Sequence, residues 1–521
     1  MFARRGLASF LLAFSLCSFA WQRPVCAEVS STAEVKEAPT EHPGIIFRQY
    51  YLGCLSQASY LIGDEKTRAA VVIDPQRDVE QYVADAKKNG LHITHVFLTH
   101  VHADFVAGHL ELQRLTGAQI CFSSKVKAGF KFAGFKDKDT LDLGNLRLET
   151  VETPGHTPES MSILVYDKEK DAAKPYAVLT GDCLFIGDVG RPDLLASQGV
   201  SARELAAMEY DSLRDKIMKL PDDTLVYPAH GAGSLCGKNM SKETVSTIGQ
   251  EKKSNYALQP MTKEQLVALL VENQPRAPMY FSYDAAFNRS KHDVLPNVLA
   301  KAMKPLSAEQ AVRLKNSGAV ILDGREPGEY ATKHVIDTVN IPMRGRYATW
   351  AGAFIDHDKP IVLITDPGQE KQGAMRLGRI GLDHVVGFVD GGIKAFDEHP
   401  DLLAQNVRET PETLLKRMKS SNPPYVVDVR NDGEWNEASV AGTVHMPLME
   451  ILEHLDKLPK DKDLVIMCAS GNRSSTAASL LAQRGVTRVT DLAGGIEAWM
   501  SDKLPVKTGA AVCKKTEAPA E

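Results

Sequence analysis

Residues 99–109 read THVHADFVAGH and continue the apolar run Val96–Leu98. Three histidines and an aspartate crowded at the end of a buried strand predict a metal loop, since imidazole and carboxylate together suit Zn, Fe or Mn. Phe105 interrupts the run, and a phenyl ring ligates nothing. The strand belongs to a series: Ala69–Asp74 (AAVVID) and His95–Thr99 flank a helix predicted over Val79–Asn89. Strands alternating with helices predict a layered α/β domain, and the pattern continues to about Tyr256.

Three later stretches share the style of the first: TPGHTP with His156, LTGDCLF with Asp182, and YPAHG with His230. Each follows a strand-like run beside small or turn-forming residues, so side chains can converge at one end of a sheet. The candidates are His100, His102, Asp104, His156, Asp182 and His230, and donor chemistry alone does not exclude His102 as a ligand.

The motifs THVHAD, TPGHT, TGDCLF and PAHG, in this order, resemble the metallo-β-lactamase fold over roughly residues 44–256. That resemblance implies an αββα sandwich. In two-metal members the position of Phe105 is a histidine that helps hold the second ion, so its absence here predicts one metal. GDVGRPD, after Asp182, is similar to the persulfide dioxygenases of this superfamily. By that resemblance one Fe(II) per chain is held by His100, His156 and Asp182, while His102, Asp104 and His230 orient the ligands or a bound water. Arg191, in VGRPD, is expected to grip a carboxylate of a glutathione-like carrier, with a structural ion pair as the alternative. Zinc is the alternative metal, serving a glyoxalase II-like thioester hydrolase. Cys183, beside Leu184 and Phe185, reads as a core thiol.

The second half repeats itself. Val320–Met343 (VILDGREPGEYATKHVIDTVNIPM) parallels Val426–Leu448 (VVDVRNDGEWNEASVAGTVHMPL), and VDGGIKAF at Val389–Phe396 parallels LAGGIEAW at Leu492–Trp499. Two copies of one βα domain are therefore expected over about 306–404 and 405–508, after a connecting extension at 257–305 and before a loose tail, residues 509–521, that begins near Val506.

In the last copy the strand Leu464–Met467 delivers Cys468-Ala-Ser-Gly-Asn-Arg473 to the start of a helix. A cysteine met there by backbone N–H groups and followed by an arginine is expected to have thiolate character and to hold sulfur as a persulfide. With DVRNDGEW, HMPL and LAGGIEAW this copy resembles a rhodanese, which makes Cys468 and Arg473 its catalytic candidates. In the preceding copy the loop is Thr365-Asp366-Pro367-Gly368-Gln369-Glu370, without a cysteine and with Glu370 at the position of Arg473. That copy is expected to be structural.

The chain has 521 residues, 43% hydrophobic and 24% charged, too many for one core. The opening MFARRGLASFLLAFSLCSFAWQRPVCA reads as an export signal over residues 1–27, directing the chain to the periplasm, with a mitochondrial presequence as the alternative. Its removal takes three arginines away and shifts the formal net charge from -5 to -8, which leaves no footprint for nucleic acid. Residues 28–43 are polar and expected to be a tether, and no later run reaches the ~20 apolar residues of a membrane span.

The fold class expected is thus α/β multidomain: a metallo-β-lactamase αββα sandwich followed by two rhodanese-like α/β domains. By the two resemblances, glutathione persulfide and O2 serve the metal domain, and thiosulfate or sulfite serves the rhodanese. A homo-oligomer stays open. Reduced glutathione and Fe(II) sit uneasily with an oxidising export compartment.

Overall fold

The computed structural model describes residues 33–37, 42–194, 199–272, 274 and 276–509. The export signal read over residues 1–27 and the last twelve residues of the chain lie outside these.

Two sheets face each other in the first domain. A seven-stranded sheet runs in chain order from Glu34–Glu37 through Ile45–Leu52, Gln57–Asp64, Ala69–Ile73, His92–Phe97 and Gln119–Ser123 to Ala133–Phe135. The facing six-stranded sheet holds Met161–Asp167, Ala177–Gly181 and Leu225–Pro228 at its centre. Alternate side chains of the two sheets interdigitate, with Phe47, Tyr60, Ile62, Val71 and Phe97 against Leu148, Ile163, Val165, Leu179 and Tyr227. Helices Glu80–Lys88 and His109–Thr116 cover one outer face, and Ala202–Asp215 and Ile248–Ser254 cover the other, which completes the αββα sandwich.

The repeat becomes two sheets of identical order. Pro305–Leu306, Val385–Val389, Ile361–Ile364, Val320–Asp323 and Val339–Asn340 form the first, and Arg408–Glu409, Val489–Leu492, Leu464–Met467, Tyr425–Asp428 and Val444–His445 form the second. The Asp-x-Arg turn explains why both copies keep that tripeptide. Arg325 folds back on Asp323 and on the Lys333 carbonyl, just as Arg430 folds back on Asp428 and on the Ala438 carbonyl. Both carboxylates are fully buried, and a buried charge is tolerated only when it is paired in this way.

Two expectations need correction. Within the stretch expected to be a tether, Glu34–Glu37 adds antiparallel to Ile45–Leu52, because that edge strand offers free backbone groups. The tail expected to loosen from Val506 instead holds through Lys507–Thr508, which pairs with Ala438–Ser439. The extension is helical and shared. Lys263–Val271 packs Leu266 and Leu270 into the metal domain, while Tyr280 and Phe281 join a core cluster that runs on into Tyr347, Leu363 and Ile380 of the cysteine-less copy.

Candidate metal centre and sulfur-transfer loop

The metal loop starts where strand His92–Phe97 ends. Asp74, at the end of the neighbouring strand, accepts from the Thr99 backbone N–H and hydroxyl at 2.8 Å each and fixes the loop's entry. Asn288 of the extension fastens the other side: its amide donates to the carbonyls of His102 and Phe105, and its oxygen accepts from Ala107 N–H. The Arg379 carbonyl of the cysteine-less copy accepts from Val106 N–H at 2.7 Å. Three segments far apart in sequence therefore set the geometry of one loop.

His100, His156 and Asp182 converge, with one ligand atom of each lying within 4.8 Å of the others. His100 Nε2 is 3.8 Å and His156 Nε2 3.4 Å from Asp182 Oδ2. That oxygen is buried and lacks a hydrogen-bond partner, which is the state of an atom placed for a cation. The remaining atoms are already spoken for. His156 Nδ1 donates to the Arg191 carbonyl at 2.9 Å, which leaves the Nε2 lone pair for a ligand role, and His100 Nδ1 lies 3.0 Å from Thr99 Oγ1. Burial, followed by the neighbouring His102, holds His100 well below the usual histidine range, so its ring is neutral. Burial pushes Asp182 up, but the neighbouring histidines, His230 foremost, outweigh it and hold the carboxyl well below the usual carboxylate range. Two imidazole nitrogens and a carboxylate oxygen fit a divalent ion on one face.

The surrounding candidates divide. His230 Nδ1 donates to Asp182 Oδ1 at 2.8 Å, and its Nε2 lies 2.8 Å from Asp104 Oδ2. Burial opposes its protonation, yet Asp104 and Asp182 together raise His230 well above the usual histidine range. His102 instead places Nε2 2.9 Å from Asp74 Oδ1, outside the trio of ligands. Phe105 is buried with its ring centroid 4.4 Å from that of His102 and 6.5 Å from that of His230, so it fills the space between the two rings.

Arg191 corrects the sequence expectation. Its side chain is 1% exposed, Nε and Nη2 grip Asp193 at 2.8 and 2.7 Å, and Nη1 donates to the Leu235 carbonyl. That fork serves a structural ion pair rather than a substrate carboxylate, and the residue's contribution to the site is the carbonyl that orients His156. Cys183 is buried in the core as expected, and burial together with Glu209 pushes its thiol well up.

Sequence reasoning missed Cys236. With Asp104 and His230 it forms a second cluster whose ligand atoms lie within 4.8 Å of one another. Burial, with Asp104 and Asp182, pushes this thiol well above its ordinary value, so it is protonated in the metal-free chain. Its only sequence signal is the closeness of Cys236 to His230 in HGAGSLC.

In the last copy, Leu464–Met467 delivers Cys468 beneath the start of helix Asn472–Gln483. Gly471 N–H donates to Sγ at 3.1 Å, and Sγ lies 3.6 Å from Ser474 Oγ. Gly471 takes a φ of 99°, where an L side chain is strained, to bring that N–H to the sulfur. Arg473 spends its fork on Glu434, at 2.7 and 2.6 Å, and reaches Cys468 only through its field. Glu434, from DGEW, is therefore a site residue that its motif carried unrecognised. In the cysteine-less copy the Glu370 carboxylate turns back onto Gly368 N–H, closing the loop on itself.

The rhodanese-like domain family matches residues 307–399 and 410–502, and the metallo-beta-lactamase superfamily matches residues 52–230. Persulfide dioxygenase ETHE1, mitochondrial, of Bos taurus is 31% identical over 224 residues, 42% of this chain and 80% of that protein. The Homo sapiens protein of the same name is 32% identical over 215 residues, 41% of this chain and 76% of that one. A hydroxyacylglutathione hydrolase of Polaromonas is 29% identical over 42% of this chain and 87% of its own length. Among solved structures, a metallo-beta-lactamase of Staphylococcus aureus is 32% identical with a TM-score of 0.60, over 66% of this chain and 98% of that one. With its metal trio in an αββα sandwich and persulfide dioxygenases among its relatives, the chain belongs to the metallo-beta-lactamase superfamily and carries two rhodanese-like domains behind the metal domain.

Proposed function

We propose that the chain is an iron-dependent persulfide dioxygenase joined to a thiosulfate sulfurtransferase. Glutathione persulfide, O2 and water become glutathione and sulfite in the metal domain. His100, His156 and Asp182 would hold one Fe(II), which would supply the activation of O2 beside the persulfide. The observation that carries this is the lone buried oxygen Asp182 Oδ2 facing two imidazole nitrogens, with the Phe105 ring filling the space between His102 and His230. The relatives named persulfide dioxygenase support the same choice. His230, protonated between Asp104 and Asp182, orients the carboxylate ligand and keeps a proton beside the pocket.

In the rhodanese, the Cys468 sulfur takes the outer sulfur of thiosulfate. An S–S bond forms on Cys468 as the S–S bond of thiosulfate breaks and sulfite leaves with the electron pair. An incoming thiolate then removes that sulfur as a persulfide. Sulfite and persulfide are thus shared between the two modules. Cys468→Ser is expected to abolish thiosulfate:thiol transfer, below about 1% of the unaltered chain, while leaving oxygen uptake intact; transfer that survived would contradict the assignment.

A second reading, a zinc thioester hydrolase, is favoured by the Asp104–His230–Cys236 cluster and by the hydrolase relatives. Hydrolysis of S-lactoylglutathione by a chain holding two zinc ions would establish it. Residues 1–27 are proposed as an export signal, so sequencing of the mature N-terminus should begin at Glu28; a mature chain that keeps these residues would contradict export.

A further inference from the structure

His109 and His292 form a pair outside both sites described above. His109 opens the helix His109–Thr116 of the metal domain, and His292 follows the helix Tyr280–Phe287 of the extension. Their rings meet edge to face, with centroids 6.0 Å apart and an interplanar angle of 79°. His109 Nδ1 lies 3.0 Å from the Ala107 carbonyl oxygen, and His292 Nδ1 lies 3.2 and 3.1 Å from those of Phe287 and Ser290. A carbonyl oxygen only accepts, so each ring carries a proton on Nδ1 and, when neutral, a lone pair on Nε2. Both Nε2 atoms are buried, and neither has a hydrogen-bond partner.

Two buried lone pairs left without a donor are costly, and their occurrence on neighbouring rings calls for a shared partner. A histidine that anchors Nδ1–H on a backbone carbonyl and leaves Nε2 bare is prepared as a metal ligand, because the carbonyl fixes the tautomer and the ring orientation. An ion bonded at about 2 Å to each Nε2 brings the two ring centroids about 6 Å apart, which is the separation found here. Burial, with His292 adding to it, lowers His109 to about 3, and burial, with Arg77 adding to it, lowers His292 to about 4, so both rings are neutral at neutral pH. Among the described residues, no carboxylate or thiol completes a cluster of three with this pair. The surroundings are aromatic: Phe130 lies 5.0 Å from His109, and Phe287 stacks on His292 at 4.3 Å. The Arg77 guanidinium stands 5.6 Å from the Phe287 ring, and its field opposes positive charge at both imidazoles. Zinc and iron call for three or more ligands, commonly with an anion among them, whereas a d10 monocation is satisfied by two nitrogens and carries half the charge into that field.

We propose that His109 and His292 share one soft monovalent metal ion, of the Cu(I) class, through their Nε2 atoms. The ion clips the extension to the metal domain. Asn288, four residues before His292, donates to the carbonyls of His102 and Phe105, so the clip steadies the metal loop from outside and stabilises the folded domain by mass action. It uses neither the trio His100, His156 and Asp182 nor Cys468, and so stands apart from the dioxygenase and sulfurtransferase readings.

Anaerobic competition for Cu(I) between the chelator bicinchoninate and the full-length chain tests the site, with Cys468→Ser in every sample to remove the sulfur-transfer thiol. The expected result is one Cu(I) held per chain, with only nitrogen neighbours in its X-ray absorption spectrum. His109→Phe and His292→Phe should each weaken Cu(I) about a hundredfold, since each removes one of two ligands. His292→Gln, at a half-buried position, repeats the test while the buried His109 ring stays in place, and circular dichroism of each variant confirms that it is folded. A water molecule bridging the two lone pairs would leave the chain without Cu(I), and that result would overturn the proposal. Copper held by sulfur neighbours, or an affinity unchanged in the folded His292 variants, would overturn it equally.

Discussion

Phe105 carries the choice between one metal and two. Its ring lies between those of His102 and His230, beside a cluster of Asp104, His230 and Cys236 that lacks one more strong donor. Phe105→His supplies that donor. The expected result is a rise from one to two bound ions per chain with loss of most oxygen uptake, at a stability cost of about 1–3 kcal/mol in the metal-free protein from an unsatisfied buried imidazole. Metal analysis of the purified variant checks it, and unchanged stoichiometry and uptake would reduce Phe105 to packing. The trio His100, His156 and Asp182 could be narrowed from sequence only by resemblance, because the chemistry of a histidine does not reveal where it points. What removes His102 is Asp74, a residue 28 positions away whose carboxylate takes its Nε2. Arg191 misled for a similar reason: its partner Asp193 is visible two residues on, but whether a guanidinium faces a neighbour or a pocket is decided by burial, which the motif does not encode.

At the scale of elements, the turn after Asp182 explains why GDVGRPD keeps its second glycine. A Cβ on Gly190 would lie 2.1 Å from the Asp182 carbonyl oxygen and 3.0 Å from His156 Cβ, so two ligands would have to move apart. Gly190→Ala is expected to cost about 1–3 kcal/mol of stability and to lower metal affinity by tenfold or more. Thermal unfolding and competition with a chelator measure the two effects; a variant with native metal content and melting temperature would show that the turn relaxes elsewhere. The helix expected over Val79–Asn89 stands at Glu80–Lys88, legible because its end charges agree with its pattern, with Glu80 in the first turn and Lys87 and Lys88 in the last. Glu34–Glu37 was not legible, because an edge strand of polar residues reads like a tether until its partner edge is known.

The whole molecule is held together through buried arginines between domains. Arg77 of the metal domain pairs with Glu111 and, at 2.5 and 2.8 Å, with Asp383 of the cysteine-less copy, and Arg379 of that copy pairs in return with Asp78. On its other side the same copy receives the sulfur-transfer helix, where Ser475 donates to Asn340 Oδ1 and Asn340 N–H donates to Ser479. The sequence repeat revealed this copy and its missing cysteine, but not that its Arg379 carbonyl holds the metal loop. Removing Arg77 leaves the buried Glu111 and the half-buried Asp383 without their shared guanidinium, a loss of about 2–4 kcal/mol. Arg77→Ala is therefore expected to make the metal domain and its extension sensitive to proteolysis and to lower oxygen uptake, while thiosulfate:thiol transfer at Cys468 persists. Equal loss of both activities would contradict this picture of separate chemistries on a shared frame.

The most direct test is metal analysis of the purified chain combined with oxygen uptake on glutathione persulfide. The account predicts about one iron per chain and one O2 consumed for each sulfite formed. Stoichiometric zinc with no oxygen uptake would contradict it.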